Sequence, residues 1–352
     1  MSAHFLLTTF GSFGDLHPYI AVGIGLRDRG HRVTIATSEN YRAKVEGEGL
    51  NFYAVRPDLS PLLDRPEIIA RAFHPRRGSE YIMRDLFLPC VEQSCEDLMR
   101  IAPEADLLVG HAIAFATPTV AEALGKKWIS VALQPSIFLS AFDPPVVSGM
   151  PLARWLATLG PGFWRQWAKF AKSVVRRWGQ PLNHLRRKLG LPALANPLLD
   201  DMFSRYGTQA WFSSVIAKPQ PDWPANTTVT GFPFYDKLGP GSGLSSELKE
   251  FLDAGPTPVV FTLGSSAVFA AGRFFEESAR GPAARGPGDA AGGFRGAQSS
   301  TTNIAEDDRG SRLRAVFRIV STSGGGGPSG RHRYHGSGDS RRPTDAGNAL
   351  QP

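Results

Sequence analysis

The sequence predicts an α/β protein of two doubly wound, Rossmann-like domains, the second of them truncated. Through the first 140 of its 352 residues, short apolar runs alternate with helical stretches, which is typical of a parallel sheet covered by helices on both faces. A glycine-containing turn at 11–14 follows the first apolar run. A second buried run at 258–263 also leads into a glycine, as the first strand of another such sheet would.

The first strand and the first helix carry the clearest signals. Residues 5–10 form an apolar, β-prone run that ends in Gly11-Ser12-Phe13-Gly14. We expect a helix to follow, with Pro18 in its first turn, where a missing N–H costs nothing. Gly23 would let this helix pack closely on the sheet, and Gly30 would end it.

The rest of the first domain repeats the strand, helix, strand spacing of a parallel sheet. Apolar alternation marks the strands, and apolar residues at helical spacing mark the helices. We expect strands at 32–37, 51–55, 106–109, 128–133, 208–213 and 228–232, and helices at 40–48, 80–99 and 117–124.

Residues 151–192 differ from this pattern. Phe163–Trp178 carries aromatic and aliphatic side chains on one helical stripe and Arg and Lys on much of the other side. Such a stripe indicates an amphipathic helix packed on the domain. A basic amphipathic helix can also rest on an anionic membrane surface or cover a bound molecule, and the sequence leaves both alternatives open.

Composition divides the chain into four parts. Residues 1–235 form the N-terminal Rossmann-like domain, 236–255 a Gly/Ser/Pro-containing linker with a short helix, and 256–280 the start of the second domain. The last part, 281–352, does not continue the second domain. It contains ten arginines, no lysine and six acidic residues, with no period.

This tail suits a disordered segment, but a GC-rich gene read out of frame gives the same composition. Codons that can encode 328–339, read one base downstream, permit His-Gln-Gly-Gly-Ile-Gly-Thr-Thr-Gly-Gln-Ala. Blocks 313–320 and 341–352 can be re-read in the same way. A glycine-rich turn opening a helix presents N–H groups to a diphosphate. We therefore expect a frameshift near Arg280 that removes this cradle; the re-read peptide is the one that the family resemblance described below implies.

Net charge, cysteine content and the length of apolar runs exclude several classes of protein. The net charge of +7 is concentrated in the tail, and no zinc-finger spacing or RNA-binding aromatic motif accompanies it, so we expect no nucleic-acid partner. Cys90 and Cys95 fit no common zinc spacing. No signal peptide and no membrane-length apolar run is evident, which predicts a cytoplasmic protein, peripheral at the membrane if Phe163–Trp178 makes the contact described above.

Three separated motifs together carry a family resemblance. They are the segments 10–18, 219–224 with Thr230-Gly231-Phe232, and 261–266. The chain resembles the sterol-, macrolide- and glycopeptide-type members of the UDP-glycosyltransferase family, which have the GT-B fold of two Rossmann-like domains. The resemblance implies transfer of a sugar from a nucleoside diphosphate sugar to an acceptor hydroxyl with inversion. It implies no cofactor and no metal, the nucleotide sugar being a co-substrate.

The resemblance places the catalytic base on Asp15, where relatives carry an acid or a His. His17 lies on the same turn, but many relatives have an amide there. An acceptor hydroxyl must lose its proton as it attacks, so a base must lie within about 3 Å of it. A turn at the carboxyl edge of the sheet suits that base. Asp15 or His17 could instead cap the helix.

The other candidates follow strands. His111 comes after the 107–110 run and would orient the acceptor or support the base, although a lone His there is more often structural. Ser136 and Phe138 would line the acceptor pocket. By resemblance, the donor-binding residues are Ser12, Gly14, Ser265 and Ser266.

The sequence thus predicts an inverting hexosyltransferase acting on a lipophilic sterol, polyketide or lipid, inactive in its frameshifted form. The alternative is a non-catalytic acceptor-binding or unstable fragment of such an enzyme. A nicotinamide-dependent oxidoreductase is disfavoured, because Gly11 and Gly14 have Gly-x-x-Gly spacing and no acid ends the second strand.

Overall fold

The computed structural model describes residues 2–59, 65–74, 77–144, 157–235, 246–253, 259–261, 263, 271–275 and 290–291. Its main feature is a seven-stranded sheet in which every pairing is parallel. The strand order is β3-β2-β1-β4-β5-β6-β7. The strands are β1 His4–Thr8, β2 Arg32–Thr37, β3 Asn51–Ala54, β4 Leu107–His111, β5 Lys127–Ala132, β6 Thr208–Ala210 and β7 Thr227–Val229.

Helices cover both faces of this sheet, which confirms the predicted doubly wound α/β class. The α-helices are α1 Phe13–Arg27, α2 Arg42–Glu46, α3 Pro66–Ala72, α4 Gly78–Glu80, α5 Val91–Ile101, α6 Ala116–Ala123, α7 Gly160–Arg176, α8 Gln180–Lys188 and α9 Ser246–Asp253. Short 3-10 helices lie at Glu39–Tyr41, Leu88–Cys90, Ala102–Glu104, Pro135–Phe138 and Ala157–Leu159, and a π-helix at Tyr81–Phe87.

Alternation along each strand divides the core into two faces. On one face, Leu7 of β1 and Val109 of β4 pack with the apolar side of α1. On the other, Leu6 and Leu108 pack with α5, α6 and α8. Successive strand residues point to opposite sides of a sheet, so these short apolar strands supply both layers at once.

The prediction that Pro18 lies in the first turn of α1 is wrong. The helix begins at Phe13, because the Ser12 side chain accepts a hydrogen bond from the Gly14 amide and so caps the helix there. Pro18 therefore falls inside the helix. Close packing at Gly23 is confirmed, since a Cβ there would lie 2.9 Å from Cδ1 of Leu50.

Several predicted bounds are also wrong. The 80–99 helix is divided into a π-helix, a 3-10 turn and α5, and Pro89, which has no N–H to donate, lies in the 3-10 turn. The 40–48 helix is a 3-10 turn followed by the short α2, and the 208–213 strand ends at Ala210, after which Trp211 and Phe212 turn into the core.

Little of the predicted second domain is described. Helix α9 agrees with the expected short helix, and Val259–Val260 (β8) pairs in parallel with Ala290–Ala291 (β9). The predicted linker residues 236–245 lie outside the described residues, and so do the turn at 264–266 and the tail apart from 290–291. The domain boundaries and the frameshift remain predictions.

Candidate active site

The turn between β1 and α1 is built around the carboxylate of Asp15. Its Oδ2 accepts hydrogen bonds from the Ser12 amide at 2.7 Å and from the Ser12 hydroxyl at 3.2 Å. The Ser12 Oγ in turn accepts from the Gly14 amide at 3.2 Å, which completes a reciprocal capping box. The capping alternative raised from the sequence is therefore realised at Asp15.

Gly11 makes room for this carboxylate. Its φ of +120° is a backbone conformation that favours glycine, and a Cβ on Gly11 would lie 2.2 Å from Oδ2 of Asp15. Tyr41 fixes the same turn from outside, because its hydroxyl donates to the Gly11 carbonyl at 2.7 Å. The position of the Asp15 carboxylate is thus set by its neighbours on several sides.

The second oxygen of Asp15 faces a histidine from the neighbouring strand. Oδ1 lies 3.8 Å from Nε2 of His111, the last residue of β4. β1 and β4 are adjacent and parallel, so their carboxyl ends bring the two side chains to one edge of the sheet. The Asp15 side chain is 30% exposed and the His111 side chain 8% exposed, so Asp15 is the one that solvent or a ligand can reach.

Burial favours the neutral form of the His111 ring. Burial lowers the pKa of its imidazole, against the charge of Asp15 and the backbone carbonyl of Phe10, which both favour the charged form. The site therefore presents a partly exposed carboxylate beside a buried, uncharged ring. Such a carboxylate can accept a proton from a hydroxyl placed against it.

His17 is placed differently from Asp15. Its ring lies between Phe13, at a centroid distance of 5.1 Å, and Tyr235, at 4.9 Å. Burial, with the nearby charge of Lys44, lowers the pKa of His17 to about 4. The lowered pKa favours an uncharged ring, which is part of an aromatic stack that joins α1 to Tyr235.

The donor-binding candidates of the first turn take part in the cap. The Ser12 hydroxyl is engaged by Asp15 and Gly14, and the Gly14 amide by Ser12. Ser265 and Ser266 lie outside the described residues.

Phe138 is buried in an aromatic cluster on β5 and β6 and is not grouped with Asp15. It stacks on Trp223 at 4.3 Å and on Phe203 at 5.4 Å, while Ser136 is exposed on the same 3-10 turn. Phe138 does line a cavity of about 400 Å³. The other residues lining this cavity are Ile137, Leu139, Lys172, Leu199, Asp200, Phe203, Ser204, Arg205, Asp222, Trp223, Pro224 and Asn226.

Sequence reasoning missed Tyr19, which is fully buried one helical turn after Asp15. Its ring lies 6.2 Å from that of His111 in an edge-to-face arrangement. The i, i+4 spacing from Asp15 could have indicated it, since such residues share a helix face.

Helix α7 has an apolar stripe wider than the surface that covers it. Trp164 is buried, whereas Phe163, Phe170 and Val174 are 40%, 67% and 43% exposed. No acidic residue occurs within Gly160–Arg176. Across the part of the chain that the structure describes, no helix is long and apolar enough to cross a membrane.

The described fold is that of GT-B glycosyltransferases. Spinosyn forosaminyltransferase superposes with a TM-score of 0.53 at 20% identity, covering 88% of this chain and 70% of that one. The glycotransferase of kitacinnamycin superposes with a TM-score of 0.56 at 16% identity, covering 86% and 68%. These likenesses define the class of fold.

The amino-acid sequence is similar to those of several glycosyltransferases. Residues 5–129 match the glycosyltransferase family 28 N-terminal domain. The chain is 36% identical to O-mycaminosyltylonolide 6-deoxyallosyltransferase of Streptomyces fradiae, over 74% of this chain and 61% of the relative. It is 28% identical to vancomycin aglycone glucosyltransferase of Amycolatopsis orientalis, over 74% and 60%, and 28% identical to a sterol 3-beta-glucosyltransferase of Arabidopsis thaliana, over 72% and 40%. The predicted resemblance is confirmed, and the chain spans 61% or less of these relatives' lengths.

Proposed function

We propose that this protein derives from an inverting glycosyltransferase that moves a hexose from a nucleoside diphosphate sugar to a hydroxyl of a lipophilic acceptor. The observation that carries the proposal is the pairing of Asp15 Oδ1 with His111 Nε2 at 3.8 Å, at the carboxyl edge of a family 28 domain. Ligands of open α/β sheets bind at that edge.

Asp15 is the proposed base. Its carboxylate takes the acceptor's hydroxyl proton while the hydroxyl oxygen attacks the anomeric carbon. The bond from that carbon to the diphosphate oxygen breaks, and the diphosphate leaves with the electron pair. Attack on the face opposite the leaving group inverts the anomeric configuration. His111 is buried behind Asp15, 3.8 Å from its carboxylate, and its lowered pKa favours a ring that leaves the carboxylate's charge uncancelled.

The donor half is proposed to be out of frame from near Arg280. Its support is the arginine-rich, lysine-free composition of 281–352 and the glycine-rich peptide that the shifted codons of 328–339 permit. A helix start lined with backbone N–H groups is what stabilises a departing diphosphate. On this proposal the chain as written keeps the acceptor-binding half of the enzyme but lacks the helix start that would bind the donor's diphosphate. Its alternative role is a non-catalytic acceptor-binding or unstable fragment.

The acceptor is proposed to be bulky and apolar. The names of three similar proteins refer to a tylonolide, a vancomycin aglycone and a sterol. The exposed Phe163, Phe170 and Val174 of α7 support a peripheral contact with a membrane, from which such an acceptor could be taken.

The testing experiment compares two proteins. One is the chain as written, and the other has a one-base correction after the Arg280 codon. Both are assayed with nucleoside diphosphate hexoses against sterol, macrolide and lipid acceptors. We expect transfer only from the corrected protein. Transfer by the chain as written would contradict the frameshift, and no transfer by either would contradict the enzyme proposal.

A further inference from the structure

Tyr19 packs behind the side chains of Asp15 and His111. It lies one turn after Asp15 on α1, so the two share the face that meets β4. Its ring is fully buried, edge-on to His111 at 6.2 Å and against Trp211 at 4.8 Å. His111 therefore has a carboxylate on one side and a phenol on another.

Two polar atoms in this small region lack partners. The hydroxyl of Tyr19 and Nδ1 of His111 are both buried, and neither makes a hydrogen bond of normal geometry with the residues that the structure describes, although the Phe10 carbonyl lies near the His111 ring. Trp211 does not donate a hydrogen bond to either atom, because its indole N–H donates to Gln209 Oε1 at 2.9 Å. An unsatisfied buried polar atom destabilises the folded state, so two such atoms on neighbouring residues call for a common explanation.

Side chains on a helix tilt toward its N-terminus. This tilt favours a Tyr19 phenol that lies toward the Asp15 end of α1, and the effect of the Asp15 charge on the Tyr19 pKa agrees with that direction. Burial and the charge of Asp15 raise the pKa of Tyr19 well above its ordinary value, so the phenol keeps its proton and can donate. A buried water needs two to four polar partners, and these two atoms supply the first two.

We propose that one buried water joins the Tyr19 hydroxyl to Nδ1 of His111, and that this bridge fixes the imidazole as its Nε2–H tautomer facing Asp15. Tyr19 is then a positioning residue for the base. The inference rests on the proposed function for the catalytic role of Asp15, whereas the water bridge itself does not depend on that function. In the proposed bridge the water accepts from the Tyr19 hydroxyl and donates to Nδ1, which leaves the ring's single proton on Nε2.

The charge of Asp15 favours the same tautomer. Its carboxylate only accepts hydrogen bonds, so a bare Nε2 lone pair 3.8 Å away would be repelled, whereas an Nε2–H is attracted. The competing arrangement is an Nδ1–H donating to the Phe10 carbonyl, which lies close enough to favour a protonated ring. The two arrangements put the proton on different nitrogens and can be told apart.

The test is nitrogen NMR of the imidazoles in the chain as written, with labelled His, for wild type, Tyr19→Phe and the control Tyr53→Phe. Tyr53 lies on edge strand β3, so its variant removes a phenol hydroxyl away from His111. We expect wild-type His111 to be protonated at Nε2, with Nδ1 at the shift of a hydrogen-bonded acceptor. Tyr19→Phe should move Nδ1 to the shift of an unbonded ring nitrogen, and Tyr53→Phe should not.

A proton on Nδ1 in wild type would overturn the inference, and so would a Tyr19→Phe spectrum identical to wild type. If Tyr19→Phe fails to fold, a wild-type crystal structure that shows ordered waters decides instead. A water bonded to both atoms supports the bridge, and its absence overturns it. None of these readouts requires turnover, so they separate failure of the bridge from failure of the proposed function.

Discussion

The Ser12 amide donates to Oδ2 of Asp15 at 2.7 Å, so the residue proposed as the base is also the residue that completes the cap of α1. One carboxylate oxygen serves the fold and the other faces His111 and solvent. Substitutions at Asp15 can therefore distinguish its role in capping α1 from its proposed role as the base.

The structural role predicts a difference between two variants of the chain as written. Asp15→Asn keeps an oxygen that can accept from Ser12, whereas Asp15→Ala loses it. We expect Asp15→Ala to lower the free energy of unfolding by about 1 kcal/mol and Asp15→Asn by clearly less. Urea denaturation measures both. Equal losses would show that the cap contributes little to the fold.

Gly11 offers a second test of how the carboxylate is held. Gly11→Ala should destabilise the chain and displace Asp15, because φ is +120° and the new Cβ would meet Oδ2 at 2.2 Å. Gly25→Ala is the matched control within α1, where the nearest atom to a new Cβ is 3.4 Å away on Arg29. That control should stabilise the helix by up to about 1 kcal/mol. Thermal melts compare the two, and a harmless Gly11→Ala would contradict the packing described.

The fold around Asp15 was readable from the sequence because its signals are local. An apolar strand, a glycine turn and a capping residue lie within 15 residues, and each follows from the chemistry of neighbouring positions. His111 was also predictable, since it follows a strand and parallel strands end at one edge.

What escaped prediction depends on contacts between distant residues. The position of Pro18 within α1 was predicted wrongly because Ser12 caps the helix and makes it begin at Phe13, earlier than expected. The burial of Phe138 depends on Trp223, which is 85 positions away in the chain. The pairing of Tyr19 with His111 requires the strand order, and Tyr235 reaches Glu48 across 187 positions. No local pattern encodes these contacts.

His17 should make stability depend on pH. Its folded pKa of about 4 lies below the ordinary 6.5, so the folded state favours the neutral ring. The stabilisation is complete above about pH 6.5 and is lost as pH falls toward 4, amounting to about 3 kcal/mol at most. His17→Gln removes this titration, so its unfolding free energy should fall less over that window than that of wild type. Parallel pH profiles for the two proteins would contradict the lowered pKa.

The exposed apolar side of α7 predicts binding to lipid. Phe170→Ser should weaken partition to vesicles containing anionic phospholipid by roughly tenfold, because removing a Phe from water contributes about 1.5–3 kcal/mol. Val215→Ser is the control, since Val215 is 91% exposed but lies outside α7. Cosedimentation measures both variants. If Phe170→Ser binds as wild type does, α7 is not the contact.

The proposed function depends on the role of Asp15 as the base of a sugar transfer, in a chain whose diphosphate-binding turn is proposed to be removed by a frameshift. It is tested most directly by single-turnover kinetics of the frame-corrected protein with and without Asp15→Asn, with donor binding measured by calorimetry. We expect Asp15→Asn to slow transfer by roughly 10²–10⁴-fold while the donor still binds. Transfer at a near-normal rate by Asp15→Asn would contradict the claim and place the base elsewhere.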